Sequence, residues 1–200
     1  PAAAAAPRFT MARTRAALGG LTAAQCEESF EVPYRLQKEA RFLVKITEAP
    51  HYRRYVIQRE EAAGFRPAVP GRDLPPQLVR TEGPGHTIGL APQGVNSGNG
   101  FLFIAHNGDV FPSGFLPVRA GSVRTGSLAS IYRDSEIFRS LRRPAGFKGI
   151  CGVCEFNAVC GGSRSRAFAL TGDYLATDPW CAYRPAKKCA VGAAALAPTA

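Results

Sequence analysis

Four cysteines hold most of the chemistry available to this sequence. Two residues separate Cys151 from Cys154, five more precede Cys160, and a further twenty precede Cys181. Four thiolates gathered by tight turns make a metal or cluster site, because thiolate sulfur ligates zinc and iron–sulfur clusters alike. Structural zinc more often uses two Cys-x2-Cys knuckles, whereas here one such pair is followed by two single cysteines. That uneven spacing favours an iron–sulfur cluster, whose ligands arrive from separate directions, over zinc; a disulfide arrangement is the third alternative. Gly152, Gly161 and Gly162 beside the cysteines would let backbone amides approach the sulfurs of such a group. Cys26 stands alone and reads as a small buried hydrophobe. Cys189, in a tail with Lys187 and Lys188, is left out of the ligand set.

A second group lies upstream. The segment 41–47 (RFLVKIT) alternates as a strand, with Phe42, Val44 and Ile46 on one face and Leu43, Lys45 and Thr47 on the other. Pro50 is placed to start an amphipathic helix over 51–63. Before the strand, residues 21–40 read as a helix capped by Thr22, with a kink or break at Pro33. Helix, strand, turn, helix is the pattern of an α/β layer, in which functional groups gather where strands end and helices begin. Lys45, Thr47, Glu48 and His51 sit at that end, and Lys45, Glu48 and His51 are the candidates to face a cavity.

The elements that position the cysteines follow. Residues 64–98 are rich in proline and glycine and read as a long loop, with 94–100 a flexible turn that no Gly-Lys-Ser/Thr follows. Residues 100–111 form a hairpin around Asn107-Gly108, a pair suited to a type I′ turn. A helix is expected from Ser127 to Arg143, capped by Ser127 and burying Leu128, Ile131, Tyr132, Ile137, Phe138 and Leu141. Pro144 and Gly146 stop it before Cys151, and 163–170 reads as a short helix turned by Thr171-Gly172-Asp173 toward Cys181.

Composition sets the outer bounds. Two hundred residues make one domain or two small ones. The net charge is +10, with twenty arginines to five lysines, but the arginines are scattered and no base-stacking motif accompanies them. A compositional bias explains them better than nucleic-acid binding. No apolar run approaches the ~20 residues of a membrane helix. Clustered Cys-x2-Cys spacing without a secretion signal points to a reducing compartment, the cytoplasm. Residues 1–20 and 186–200 are low-complexity and expected to be disordered, and a first residue Pro1 in place of Met sets the expectation of a piece of a longer protein.

The hairpin GFLFIAHNGDVFPSGFLP, the following SLASIYRDSEIF and the Cys-x2-Cys-x5-Cys run together resemble the SPASM/twitch-type auxiliary cluster domain of radical S-adenosylmethionine enzymes. Upstream, VKITEAPHYRR is similar to the late barrel segment of a subgroup related to haem-synthesising decarboxylases and peptide-modifying maturases. The resemblance covers about residues 21–185. It implies an α/β to α+β chain in which 21–98 is the remnant of the C-terminal part of a partial (β/α) barrel and 99–185 is a small β-hairpin-plus-helix cluster-binding domain. It implies that Cys151, Cys154, Cys160 and Cys181 ligate one auxiliary 4Fe-4S cluster. Many such domains carry a Pro-Cys pair after the hairpin; Pro112-Ser113 stands here, so one auxiliary cluster is implied and not two. The Cys-x3-Cys-x2-Cys motif of the radical-generating cluster is absent from these residues. S-adenosylmethionine and a second 4Fe-4S cluster are therefore expected only in a full-length form, and the piece alone is expected to be catalytically inactive. A ferredoxin or flavodoxin would be the reductant, and peptide and tetrapyrrole substrates are both compatible. The alternative is a zinc-stabilised structural or nucleic-acid-binding domain. A small electron carrier is a third possibility, but it would not need the helix–strand–helix segment.

Overall fold

A computed structural model describes residues 20–39, 44, 46, 48–64 and 96–185. Lys45, Thr47, most of the 41–47 strand, residues 65–95 of the 64–98 loop, Cys189 and the low-complexity ends 1–19 and 186–200 lie outside the described residues.

The first helical stretch is two helices, α1 (Ala23–Ser29) and α2 (Glu31–Glu39). A capping box starts α1: Thr22 Oγ1 accepts from Gln25 N at 3.2 Å and Gln25 Oε1 accepts from Thr22 N at 2.9 Å. The break falls at Phe30, three residues before Pro33. A continuous helix would drive the Pro33 ring into the Ser29 carbonyl, whereas in the first turn of α2 its missing N–H has no partner to lose. Helix α3 (His51–Ala62) follows Pro50. Phe30, Tyr34, Cys26, Tyr52 and Val56 form the core between these helices, with Ile46, Ala49 and Tyr55 packed against it. The rings meet edge-on, Phe30 at 4.8 Å from His51 and 5.2 Å from Tyr52.

Three short antiparallel strands follow in the order β1 (Phe103–Ile104), β2 (Asp109–Phe111) and β3 (Gly121–Ser122). Phe103 pairs with Phe111 and Ile104 with Val110, which is fully buried. The hairpin turn is not type I′, since only Gly108 takes a positive φ (+89°). Gly108 N donates to Ala105 O and Ala105 N to Asp109 O, each at 2.8 Å, giving a three-residue loop closed by a left-handed glycine. Asn107 instead accepts from Asp109 N through Oδ1 at 3.0 Å.

The single helix expected over 127–143 is likewise two: α4 (Leu128–Asp134) and α5 (Glu136–Leu141). Ser135 divides them because its hydroxyl accepts from Phe138 N at 3.4 Å and so starts a new helix. Ser127 stands at the cap position without making a side-chain cap bond. Of the expected buried side, Phe138 and Leu141 are buried and Ile131, Tyr132 and Ile137 half-buried, while Leu128 is 38% exposed. Pro144–Gly146 form a 3-10 turn before α6 (Gly149–Val153), and α7 (Arg164–Thr171) ends at Gly172 in the left-handed region. Among the described residues no helix is long and apolar enough to cross a membrane.

Candidate metal centre

Short local turns deliver the cysteines. Thr177 Oγ1 accepts from Ile150 N at 2.9 Å at the start of α6, which carries Cys151. After Cys154 the chain winds tightly, with Asn157 N donating to Cys154 O at 3.0 Å and Cys160 N to Phe156 O at 2.8 Å. Gly161 and Gly162, both at positive φ, then turn it into Ser163, whose hydroxyl caps α7 through Arg166 N. Beyond α7 the chain returns to Asp178, whose carbonyl accepts from Cys181 N at 3.2 Å. The result is one recess lined by all four cysteines, Gly161 and Gly162, together with Arg54, Ile150, Asn157 and Tyr183.

Every one of the four sulfurs receives an N–H. Gly162 N donates to Cys160 Sγ at 3.4 Å, and Asp178 N and Arg164 Nη2 donate to Cys151 Sγ at 3.3 and 3.4 Å. Phe156 N reaches Cys154 and Tyr183 N reaches Cys181. In three of the four cases the donor lies two residues past the cysteine, so the turn that places the sulfur also supplies its donor. Such contacts stabilise thiolate over thiol. Burial opposes them: it pushes Cys154 up to about 11 and Cys160 up to about 12, and raises Cys181. Burial thus favours the thiol at Cys154, Cys160 and Cys181, and a bound cation would displace those protons. Among the described residues no three Cys, His, Asp or Glu close on a single ion. A zinc ion would draw its sulfurs to about 3.8 Å from one another at Zn–S bonds near 2.3 Å. Four thiol sulfurs lining one recess, with amide donors beside them, are the residues that could hold a thiolate-ligated group.

Behind the recess lies a buried ionic knot. Arg166 grips Asp178 with both arms, Nε to Oδ1 at 3.0 Å and Nη2 to Oδ2 at 2.6 Å. Ser163 N and Trp180 N also donate to that carboxylate, at 2.8 and 3.1 Å. Burial alone would raise the Asp178 carboxyl, but the Arg166 contacts outweigh it and hold it below the usual range. Arg166 Nη1 donates to Glu48 O, and its Nη2 lies 3.4 Å from His51 Nδ1. His51 is wholly buried, and burial pushes its pKa down to about 4, so it is neutral. Because a guanidinium only donates, Nδ1 is the acceptor, and Nε2–H points at Cys26 Sγ 3.5 Å away. Cys26, His51 and Asp178 thus have the look of a nucleophile triad without its function: Nε2 already holds the proton a base would take, and burial raises the Cys26 thiol.

The sequence candidates now have places. The four cysteines share one recess. His51 is walled in between Phe30, Cys26 and Arg166. Glu48 is exposed, holds a left-handed φ of 59° and accepts from Ser163 Oγ at 3.4 Å. Arg54, Arg164, Arg166, Asp178 and Tyr183 were not singled out, although all stand at or against the recess. The available signal was position: Arg164 and Arg166 follow Cys160 directly, and Asp178 precedes Cys181 by three residues.

No family model matches the chain. It is 41% identical over 155 residues to an AdoMet-dependent heme synthase of Methanosarcina barkeri, covering 78% of this chain and 40% of that protein. It is 38% identical over 168 residues to the AdoMet-dependent heme synthase of Oleidesulfovibrio alaskensis, covering 84% and 40%. A PqqA peptide cyclase of Rhodopseudomonas palustris is 39% identical over 94 residues, covering 44% and 25%. The chain thus spans about 40% of the length of the heme synthases it matches.

Proposed function

We propose, for a chain that belongs to the radical S-adenosylmethionine enzymes, that Cys151, Cys154, Cys160 and Cys181 hold one auxiliary 4Fe-4S cluster in a SPASM-type domain. The observation that carries this reading is that all four sulfurs line one recess and each receives an N–H donor. When bound, such a group supplies one-electron chemistry, accepting or relaying an electron beside the substrate. The residues around it do the holding. Gly162 N, Asp178 N, Phe156 N and Tyr183 N stabilise sulfur charge. Arg54, itself held by Glu27 and stacked 4.9 Å from the Tyr183 ring, closes one wall.

Residues 21–98 are read as the last elements of a partial (β/α) barrel, against which the cluster domain packs. Arg53 Nη1 donates to Val159 O at 3.2 Å, and Arg166 reaches Glu48 and His51. These residues contain no Cys-x3-Cys-x2-Cys, so S-adenosylmethionine cleavage belongs to a longer form and the piece alone is inactive. A tetrapyrrole is the favoured substrate class, because the match to heme synthases runs over far more of the chain than the match to peptide cyclases. A cytoplasmic ferredoxin or flavodoxin would supply electrons.

Anaerobic reconstitution with iron and sulfide tests the site, with about four irons per chain and broad visible absorption expected. A chain that keeps one tight zinc through purification and refuses iron would defeat it.

A further inference from the structure

A fixed positive charge is buried at the edge of the recess without a carboxylate to balance it. Arg164 is 1% exposed, and its guanidinium carbon lies 4.5 Å from the centre of the Phe147 ring. Its Nη1 donates to Tyr174 O and Ala176 O at 3.1 and 2.8 Å, and its Nε to Gly162 O at 3.4 Å. These partners are neutral. The remaining arm, Nη2, donates to Cys151 Sγ at 3.4 Å. Among the described residues no carboxylate comes within ion-pair distance of it. Asp173 is taken by Lys148 Nζ at 2.5 Å, and both oxygens of Asp178 are taken by Arg166. Arg54, which lines the recess, is different, because Glu27 balances it through both oxygens.

A guanidinium does not shed its proton, so burial cannot be relieved by neutralisation as it can for lysine or histidine. An uncompensated buried charge is strongly unfavourable, and carbonyl dipoles meet only part of the cost. The unmet part is aimed at Cys151. We propose that Arg164 is the counter-cation of the cysteine site, a positioning residue whose fixed charge is balanced by the Cys151 thiolate and the anionic group it ligates. This rests on the cluster reading above and adds a direction to it. A fixed cation beside a redox group favours the state with one more electron, so Arg164 raises the reduction potential of the site.

The test compares the wild-type chain with Arg164→Lys and Arg164→Met, each reconstituted anaerobically with iron and sulfide and titrated for midpoint potential by electron paramagnetic resonance. Arg164→Met is expected to hold less iron than wild type, and the iron it holds to titrate at a more negative potential. Arg164→Lys should recover part of both. A methionine variant with full iron and the wild-type potential overturns the role of Arg164 and leaves the cluster reading standing. A wild-type chain that takes up no iron brings down both. Should the methionine variant fail to fold by circular dichroism, the Arg54→Lys chain made with 15N-guanidinium arginine provides the readout. A 15N hyperfine coupling to the reduced site is expected from Arg164, the arginine that donates to a cysteine sulfur among the described residues, and its absence overturns the proposal.

Discussion

Replacing Gly162 by alanine puts one methyl group at the tightest point of the recess. Gly162 holds φ +63°, and a β-carbon there would meet Arg164 Nη2 at 2.6 Å, Asp178 Cβ at 2.8 Å and Cys151 Sγ at 3.1 Å. The left-handed backbone costs an alanine about 1–2 kcal/mol. The arginine is pinned by three carbonyls and the aspartate by Arg166, so neither can swing aside, and overpacking adds about 1–3 kcal/mol. The expected loss is thus about 2–5 kcal/mol, a large part of a typical stability of about 5–15 kcal/mol. Gly172 supplies the control, since it holds φ +77° with nothing within 4 Å of the added carbon. Gly172→Ala should cost only the backbone part, about 1–2 kcal/mol. Urea unfolding of the reduced, metal-free full chain, followed by circular dichroism, reads both as shifts in midpoint at equal slope. Equal losses in the two variants would refute the steric argument, because the backbone term is common to both.

Further outcomes follow from the buried knot and the recess. His51 titrates near 4 in the fold against an ordinary 6.5. The unfolded chain therefore binds its proton first, and this contribution, complete above pH 6.5, is lost as pH falls toward 4. Roughly 2 kcal/mol should go between pH 7 and pH 5, read as a falling urea midpoint that His51→Gln flattens; an unchanged wild-type midpoint contradicts it. Asp178→Asn should cost about 3–5 kcal/mol, because Arg166 is left buried without its partner. Adding Arg166→Met to that variant should return part of the loss, and strict additivity in the double-mutant cycle would show that the pair is not coupled. Serine at Cys151, Cys154, Cys160 or Cys181 should each lower the iron taken up on reconstitution, while Cys26→Ser should not, since Cys26 faces His51 and not the recess.

What could be read ahead of the fold was local. The Thr22 cap, the start of α3 after Pro50, the hairpin and the short helix expected over 163–170 each depend on residues a few positions apart, and each is present, the last as Arg164–Thr171. The spacing of the four cysteines likewise reports turns that the chain makes within itself. The errors came where two local preferences compete. Ser135 could continue a helix or cap a new one, and capping won; Asn107 could take a positive φ or accept from Asp109, and accepting won. The knot was illegible for another reason. Arg166 meets Glu48 from 118 positions away and His51 from 115, and one arginine among twenty gives no sign of which will be buried.

Those same separations govern the order in which the site is built. The wall that α3 contributes was synthesised long before the cysteines it shelters, and Arg53 closes on Val159 across 106 positions. Contacts of such range form late, after local helices and turns. Cys151, Cys154 and Cys160 therefore spend the early part of folding as open thiols on a short, already turned segment. In air that interval is when neighbouring sulfurs oxidise to one another. Once the long-range contacts are in place, burial raises the Cys154 and Cys160 thiol pKa values and slows that chemistry. A chain folded aerobically should accumulate wrongly bridged material in proportion to the time it takes to close, and one folded under reductant should arrive with its recess intact.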